Sequence, residues 1–301
     1  MGKVFNLGSI NIDHVYHVPH FVQPGQTLPS TRYQRGAGGK GFNQSIALTR
    51  AGVGVVHLGC IGPDGEWLRE MLSGDGVDCG HLGESLEPTG HAIIQVVPGG
   101  ENAIVLHAGA NRSVTISQME MALRGADAGD WFLCQNETSC VPEALRLARS
   151  AGLKTAYNAA PVDARVSSSA LEFVDFLFVN ETEANALGRG LSMKEKLEFL
   201  KAAYPGMHII VTLGAEGAIW SGPEVFHKVS PPACEVVDTT AAGDTFIGYC
   251  LAALIGQRSP EESLDLASRA AAICVSREGA ASAIPQKCEL PPSPSEAQPV
   301  E

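Results

Sequence analysis

The chain has 301 residues, of which 45% are hydrophobic and 18% are charged, and its formal net charge is −12. This composition is typical of a globular domain with a substantial core. The negative charge argues against general nucleic-acid binding, which needs clustered Lys and Arg, and no run approaches the roughly 20 apolar residues that span a bilayer. The start of the chain has no apolar leader segment, so we expect a cytoplasmic protein without membrane or nucleic-acid partners.

Predicted strands and helices alternate along the chain. Apolar runs without polar–apolar alternation are typical of strands that helices cover on both faces. The predicted strands are Val4–Leu7, Val55–Cys60, Trp131–Cys134, Lys154–Asn158, Phe176–Val179 and Ile209–Leu213. The predicted helices lie near residues 40–51, 64–73, 141–151, 192–203, 242–255 and 260–277. This order predicts a three-layer α/β/α domain over residues 1–290, with a mostly parallel central sheet.

Two insertions interrupt this alternation. Residues 14–37 contain strand-like pairs among Pro and Gly, and residues 90–107 predict two strands joined by a Gly-rich loop. We expect the two insertions to pair into a small β lid over the carboxyl ends of the main strands, where open α/β sheets bind their ligands. Residues 291–301 are rich in Pro, Ser and Glu and predict a disordered tail.

The polar loop Asp238–Phe246 leads into a long apolar helix and is the strongest candidate site. Free N–H groups and the dipole at a helix start favour negative charge. We therefore expect an anion hole for a transferring phosphoryl group, formed by the backbone N–H groups of Ala241, Ala242 and Gly243. Asp244 is placed to accept a proton from an attacking hydroxyl, although it would also serve as a helix cap. The chain has no Walker A sequence, which argues against a P-loop NTPase.

Two loops in the first part of the chain are candidate ligand sites. Lys40 and Asn43 lie in the first turn of a helix after a run of glycines and can reach a polar ligand; the alternative is a Gly-rich connector with a solvated Lys40. Asn11 and Asp13 follow the first strand and point the same way on extended backbone. Together they can bind vicinal hydroxyls, unless they only form a turn.

Two loops in the second part of the chain follow predicted strands. The first of these loops is Asn180–Glu183. Its Glu183 either binds a magnesium-bound water or caps the helix that follows. The two glycines in Thr212–Gly217 fit a nucleotide lying against the backbone, or a hairpin turn into the following residues.

In this order, the motifs resemble those of the ribokinase-like (pfkB) carbohydrate kinases. The matching stretches span nearly the whole chain and are Gly8–Asp13, Gly38–Asn43, His107–Asn111, Asn180–Glu183, Thr212–Gly217 and Asp238–Phe246. The resemblance implies the three-layer fold of that family with its β lid. It also implies ATP-dependent phosphorylation of the primary hydroxyl of a free sugar, and ribose is the first choice.

The resemblance also implies roles for single residues. Asp244 matches the catalytic base, and Gly243 with the preceding Ala241 and Ala242 matches the anion hole. The sugar-binding positions match Asn11, Asp13, Gly39, Lys40, Asn43 and Glu137. The ATP-binding positions match Asn180, Thr212, Gly214, Gly217 and Gly243. Glu183 matches an acidic residue that holds Mg²⁺ through water or phosphate.

Members of this family also bind a monovalent cation, usually K⁺, mostly through backbone oxygens. The matching positions are Asp238, Thr240, Cys274, Arg277 and Gly279. The chain departs from the family pattern at Ala283, where a Ser is frequent, and at Ser268, where a His or Asn often contacts the adenine. The resemblance also implies a homodimer formed through the lid.

Several alternatives stay open at this point. The proposed sugar site contains two carboxylates, Asp13 and Glu137, and one basic side chain, Lys40. A sugar phosphate needs more basic partners than this, so the site favours a neutral polyol. Another pentose, a hexose or a nucleoside fits the same pattern. A non-catalytic sugar-binding regulator on this fold would be expected to lack Asp244. A dinucleotide oxidoreductase would carry G-x-G-x-x-G after its first strand, where this chain has Gly8-Ser-Ile-Asn.

Overall fold

The computed structural model describes residues 2–162, 168–188 and 190–291. Apart from Pro291, the tail predicted at residues 291–301 lies outside the described residues. The strands are β1 Val4–Leu7, β2 Asn11–His17, β3 Arg32–Gly38, β4 Val55–Ile61, β5 Leu82–Glu84, β6 Gly90–Val96, β7 Asn102–His107, β8 Trp131–Gln135, β9 Lys154–Asn158, β10 Phe176–Asn180, β11 His208–Thr212, β12 Ala218–Gly222 and β13 Val225–Val229.

Nine of these strands form the central sheet, in the order β13-β12-β11-β10-β9-β8-β1-β4-β5. Every neighbouring pair from β11 to β5 is parallel, whereas β12 and β13 join the edge in antiparallel fashion. The chain runs outward from β1 through β4 and β5 and returns on the other side of β1 as β8. Such a reversal opens a crevice at the carboxyl ends of the strands, where ligands of open α/β sheets bind.

Helices cover both faces of this sheet. They are α1 Lys40–Arg50, α2 Glu66–Gly74, α3 Ile116–Leu123, α4 Val141–Ser150, α5 Ser168–Leu171, α6 Glu181–Leu187, α7 Met193–Ala203, α8 Ala242–Ile255 and α9 Pro260–Val275. Val4 packs in one core cluster with residues of α1 and α8, and its neighbour Phe5 packs in the other with residues of α4. The predicted three-layer architecture is thus confirmed. In the described part of the chain, no helix is long and apolar enough to cross a membrane.

A second sheet of four strands, in the order β3-β2-β6-β7, stands apart from the central one. It contains the two strands predicted within residues 90–107, and it pairs them with two strands from the first insertion. The strand β2 begins at Asn11, before the predicted start of that insertion at residue 14. Asn11 and Asp13 therefore lie on the lid itself and not on a separate loop below it.

Candidate active site

The polar loops meet at the carboxyl edge of the central sheet. Gly8 follows β1, Glu137 follows β8, Asn158 ends β9, Asn180 ends β10 and Thr212 ends β11. Because parallel strands present their carboxyl ends at one edge, residues far apart in sequence come together there. Two adjoining cavities open at this edge, of about 230 Å³ and about 450 Å³, and both are lined by Thr212, Thr239 and Gly243.

The start of α8 forms the floor between the cavities. Ala241 has φ 60° and ψ 6°, a left-handed conformation that is uncommon for a residue with a side chain. Ala242 N donates to Thr239 O at 3.3 Å, and the first bond within the helix runs from Thr245 N to Ala241 O at 2.8 Å. The N–H group of Ala242, which was predicted to bind an anion, is thus already hydrogen-bonded within the turn. The N–H groups of Gly243 and Asp244 precede the first helical bond and are left for an anion.

Asp244 is 8% exposed and accepts two hydrogen bonds from α1. Asn43 Nδ2 donates to Oδ2 at 3.0 Å, and Gln44 Nε2 donates to Oδ1 at 2.8 Å. Burial raises the pKa of Asp244, while the charge of Lys40 and the two amides oppose this shift. The carboxylate is a buried group whose charged form depends on these neighbours.

The predicted sugar-binding residues converge beside Asp244. Oε2 of Glu137 accepts from the hydroxyl of Ser9 and from Lys40 N at 3.4 Å, and its Oε1 lies 3.9 Å from Lys40 Nζ. Burial and the nearby Glu137 raise the pKa of Asp13 to about 7, although Lys40 opposes the shift. Asn43 Oδ1 is buried and has no hydrogen-bond partner among the described residues, so it offers an acceptor to a ligand hydroxyl.

Lys40 occupies a more central position than its predicted role in sugar binding suggests. It lines the 230 Å³ cavity together with Asp244 and Glu183. Burial lowers its pKa, but the carboxylates of Glu137, Asp244, Glu183 and Asp13 outweigh burial and raise it. Its ammonium group therefore lies between the residues predicted to bind a sugar and Glu183, which is predicted to hold a metal ion.

Asn111 and Asn158 were missed as site residues by sequence reasoning. Asn111 Nδ2 donates to Asn11 Oδ1 at 2.8 Å, and Asn111 Oδ1 accepts from Ile10 N at 2.9 Å. The matching stretch His107–Asn111 thus clamps the start of β2 and the side chain of Asn11. Asn158 lines the 230 Å³ cavity, and its place at a strand end was the signal available in the sequence.

The 450 Å³ cavity extends away from Asp244 between the sheet edge and α9. It contains four of the predicted nucleotide positions together with small and apolar residues; its lining includes Thr212, Gly214, Gly217, Gly243, Pro231, Val236, Phe246, Ser268 and Ala272. A mostly apolar cavity of this volume has room for a heterocyclic base. Ser268, where the family pattern often has a His or Asn, lies in this lining.

Asn180 and Glu183 lie in the smaller cavity and form a capping box on α6. Glu183 N donates to Asn180 Oδ1 at 2.8 Å, and Asn180 N donates to Glu183 Oε2 at 2.9 Å. Glu183 can therefore cap α6 and also bind a ligand, because the residue lines the cavity while its carboxylate accepts the capping hydrogen bond. Burial raises the pKa of Glu183, against the hydrogen bond from Asn180 and the charge of Lys40.

The predicted cation positions come together between the loop before α8 and the end of α9. Asp238 ties the two segments, because its Oδ1 accepts from Thr240 N at 2.9 Å and its Oδ2 accepts from Gly279 N at 3.0 Å. Cys274 Sγ lies 3.7 Å from Thr240 O. The guanidinium of Arg277 pairs with Glu289 at 2.7 Å, which leaves the backbone of Arg277 as its contribution to an ion site.

Comparisons with known proteins cover nearly the whole chain. Residues 1–287 match the model of the pfkB family carbohydrate kinases. A ribokinase of Haemophilus influenzae is 38% identical over 297 residues, which is 94% of this chain and 95% of that protein. The crystal structure of ribokinase from Thermotoga maritima superimposes with a TM-score of 0.87 at 30% identity, covering 96% of this chain and 98% of that chain. Arabidopsis thaliana ribokinase complexed with ribose and ATP has a TM-score of 0.86 at 28% identity, covering 96% and 98%.

Proposed function

Since the chain belongs to the pfkB family of carbohydrate kinases, we propose that it transfers the γ-phosphoryl group of ATP to the primary hydroxyl of D-ribose. The observation that carries this proposal is the position of Asp244. This buried carboxylate lies at the start of α8, close enough to Lys40 and Glu137 for their charges to shift its pKa. It also lines the 230 Å³ cavity, which adjoins the larger cavity with the predicted nucleotide positions. The acceptor hydroxyl and the phosphoryl group therefore meet at a proton acceptor and an anion hole.

In the proposed reaction, the sugar hydroxyl oxygen forms a bond to the γ-phosphorus while the bond from that phosphorus to the ADP oxygen breaks. The hydroxyl proton passes to the carboxylate of Asp244. N–H groups of Gly243 and Asp244 and the ammonium of Lys40 stabilise the charge on the transferring group. Asn11, Asp13 and Glu137 orient the sugar.

Magnesium fits this site as an ion held mainly by phosphates and water. When bound, Mg²⁺ neutralises charge on the phosphates of ATP. Glu183 is the residue that we propose to hold it, through water or phosphate, because its carboxylate faces the 230 Å³ cavity next to Lys40. A single protein carboxylate is in keeping with the preference of Mg²⁺ for retaining several waters.

A monovalent cation fits the junction between the loop before α8 and the end of α9. We propose that K⁺ is held there by backbone oxygens, with Asp238 supplying the nearest carboxylate. The residues that would contribute these oxygens are Thr240, Cys274, Arg277 and Gly279. Because Ala283 has no side-chain oxygen, the ion would have one ligand fewer than a chain with Ser at this position. We therefore expect activation by K⁺ with a weak affinity.

Ribose is favoured among the possible sugars for two reasons. The similar proteins from H. influenzae and T. maritima are named ribokinases, and the A. thaliana ribokinase was solved with ribose and ATP. The pocket itself carries carboxylates and amides suited to a neutral polyol, and Lys40 is already paired with Glu137. A hexose or a nucleoside is the second candidate, because the lid surface beyond Ala92 is apolar and partly exposed.

The lid also supports a proposal on assembly. Asp13 pairs in register with Ala92, and Ala92 with Leu106, so these side chains share one face of the lid sheet. Leu106 is 47% exposed and Ile104, on the same face, is 57% exposed. We propose that this face builds a homodimer, which sedimentation of the purified protein tests directly. A cytoplasmic location stays a prediction.

The function is tested by coupled ADP release with MgATP and ribose, deoxyribose, fructose, fructose phosphate and nucleosides, in K⁺ and in tetramethylammonium salts. We expect rapid turnover on ribose, with higher rates in K⁺. Turnover on another sugar or a nucleoside alone would contradict the substrate. Absence of turnover on the whole panel would contradict the proposed kinase activity and favour a sugar-binding regulator.

A further inference from the structure

A row of buried polar side chains leads from Asp244 into the protein core, outside the residues predicted for the site. The strands β1, β4 and β8 and the helix α1 contribute its members. Each of them is 0% exposed; they are Gln44, Gln135, Asn6, Ser45 and His57. Buried polar groups cost free energy unless they are hydrogen-bonded, so a continuous row of this kind needs an explanation.

The end of the row next to Asp244 consists of two glutamines. Gln44 Nε2 donates to Asp244 Oδ1 at 2.8 Å, and Gln44 Oε1 accepts from Gln135 Nε2 at 2.7 Å. Gln135 Nε2 also donates to Asn6 Oδ1 at 2.9 Å. If the amide of Gln44 were reversed, its carbonyl would face a carboxylate and its NH₂ would face another NH₂. Gln135 therefore fixes which end of Gln44 faces Asp244.

The far end of the row fixes Gln135 in turn. Asn6 Nδ2 donates to Ser45 Oγ at 2.8 Å and to Gly41 O at 2.9 Å, which leaves Asn6 Oδ1 as the acceptor for Gln135. Ser45 Oγ lies 2.8 Å from His57 Nδ1. Burial lowers the pKa of His57 to about 4, so the ring at this end of the row is neutral.

We propose that Gln44 and Gln135 are positioning residues for the proton-accepting carboxylate of Asp244. Gln135 holds the amide of Gln44, and Gln44 holds one oxygen of Asp244 while Asn43 holds the other. Amide N–H groups on a carboxylate stabilise its charged form, which is the form that accepts the hydroxyl proton. This inference rests on the proposed function, because it assigns a supporting role to residues around the proposed base.

The test replaces each glutamine by methionine, which keeps the length of the side chain and removes the amide. The variants are Gln44→Met and Gln135→Met, and the matched control is Gln118→Met. Gln118 is half-buried, and its Nε2 donates to Gly59 O and His81 O, each at 2.8 Å, away from the row. For each protein, kcat and KM for ribose and ATP are measured across the pH range, together with thermal unfolding and ADP binding.

We expect Gln44→Met to lower kcat about 10- to 100-fold, the effect of losing one hydrogen bond to a charged group. KM for ribose should change less than about threefold, because Gln44 is not part of the sugar pocket. The acid limb of kcat/KM should move to higher pH, since the buried carboxylate loses a donor that favours its charge. Gln135→Met should lower kcat and shift the acid limb in the same direction by smaller amounts. Gln118→Met should change neither.

The pH comparison controls for other charges near Asp244. Lys40 on α1, Glu137 after β8, Glu183 on α6 and Cys274 on α9 interact electrostatically with Asp244. Asp13 on β2 interacts with Lys40, and all five groups are the same in all the variants. If Gln44→Met and Gln135→Met retain the kcat and the acid limb of Gln118→Met, the inference is wrong while the kinase activity stands. An equal loss in all three variants would also overturn it. Should Gln44→Met fail to fold, Gln135→Met decides the question. A wild-type protein inert on every substrate contradicts the proposed function instead.

Discussion

The carboxylate of Asp13 lies directly against the α-carbon of Gly38, so closely that a Cβ at residue 38 would fall 2.0 Å from Asp13 Oδ2. Both residues belong to the lid sheet, on the neighbouring strands β2 and β3. The same carboxylate lies close enough to Glu137 and Lys40 for their charges to shift its pKa. The position of a proposed sugar ligand thus depends on the absence of a side chain on the adjacent strand.

The variant Gly38→Ala should weaken sugar binding. The added methyl group must displace the Asp13 carboxylate, because the contact is far shorter than any real Cβ contact. We expect KM for ribose to rise about tenfold or more, with a smaller change in KM for ATP. Gly36→Ala is the matched control, because a Cβ at that position meets no atom within 4 Å. Equal KM values for ribose in the two variants would contradict the role assigned to Asp13.

The variant Asp244→Asn should bind both substrates and turn over slowly. Loss of a positioned general base lowers kcat by roughly 10²- to 10⁴-fold. Calorimetric titration with ribose and ADP would confirm that the pockets are intact. Asp127→Asn, an exposed change before β8 at the opposite edge of the sheet, should retain full activity. A kcat of Asp244→Asn within a few-fold of wild type would exclude Asp244 as the base.

The variant Asp13→Asn should be more stable than wild type in alkaline buffer. The pKa of Asp13 is raised from 3.8 to about 7 in the folded protein, so ionisation above that pKa opposes folding. Between these two values the folded state binds more protons than the unfolded state, and the free energy of unfolding of wild type falls as pH rises. The advantage of the variant should therefore be largest near about pH 8.5 and should shrink toward about pH 5.5.

Urea denaturation of both proteins at the two pH values measures this difference. Asp127→Asn serves as the reference, since its exposed side chain should give the same difference from wild type at both pH values. A wild-type protein that is more stable than Asp13→Asn in alkaline buffer would show that the ionised carboxylate is well compensated in the fold.

The variant Glu183→Gln distinguishes the capping of α6 from the proposed binding of Mg²⁺. Gln also completes a capping box, so α6 and the melting temperature should be preserved. The loss of charge should raise the Mg²⁺ concentration needed for half-maximal activity several-fold. Glu195→Gln is the matched control, because Ser192 and Glu195 form the same box on α7. If both variants show the Mg²⁺ dependence of wild type, Glu183 does not hold the ion.

Much of the fold follows from local signals in the sequence. The buried strands were predicted from short apolar runs because helices cover both faces, and the loops at their carboxyl ends follow from the parallel order. The start of β2 at Asn11 was not predicted, since Asn and Asp are typical of turns and only pairing with β3 and β6 makes them a strand.

The proposed site was predicted less completely than the fold. Asp244 and Lys40 stand in loops with a recognisable pattern, whereas the roles of Asn111 and Gln44 depend on partners about 100 and 200 positions away. Such pairings leave no periodicity in a single sequence. The occupied N–H of Ala242 was also not predictable, because it follows from the left-handed conformation of Ala241.

The two amides on Asp244 lie 201 and 200 positions before it in the chain. During synthesis on the ribosome, α1 and its polar row emerge long before the carboxylate with which they pair. Contacts of such long range form late, because the closure of a long loop must precede them. A truncated product that ends before α8 would therefore retain the loops of the proposed sugar site and lack the proposed proton acceptor altogether.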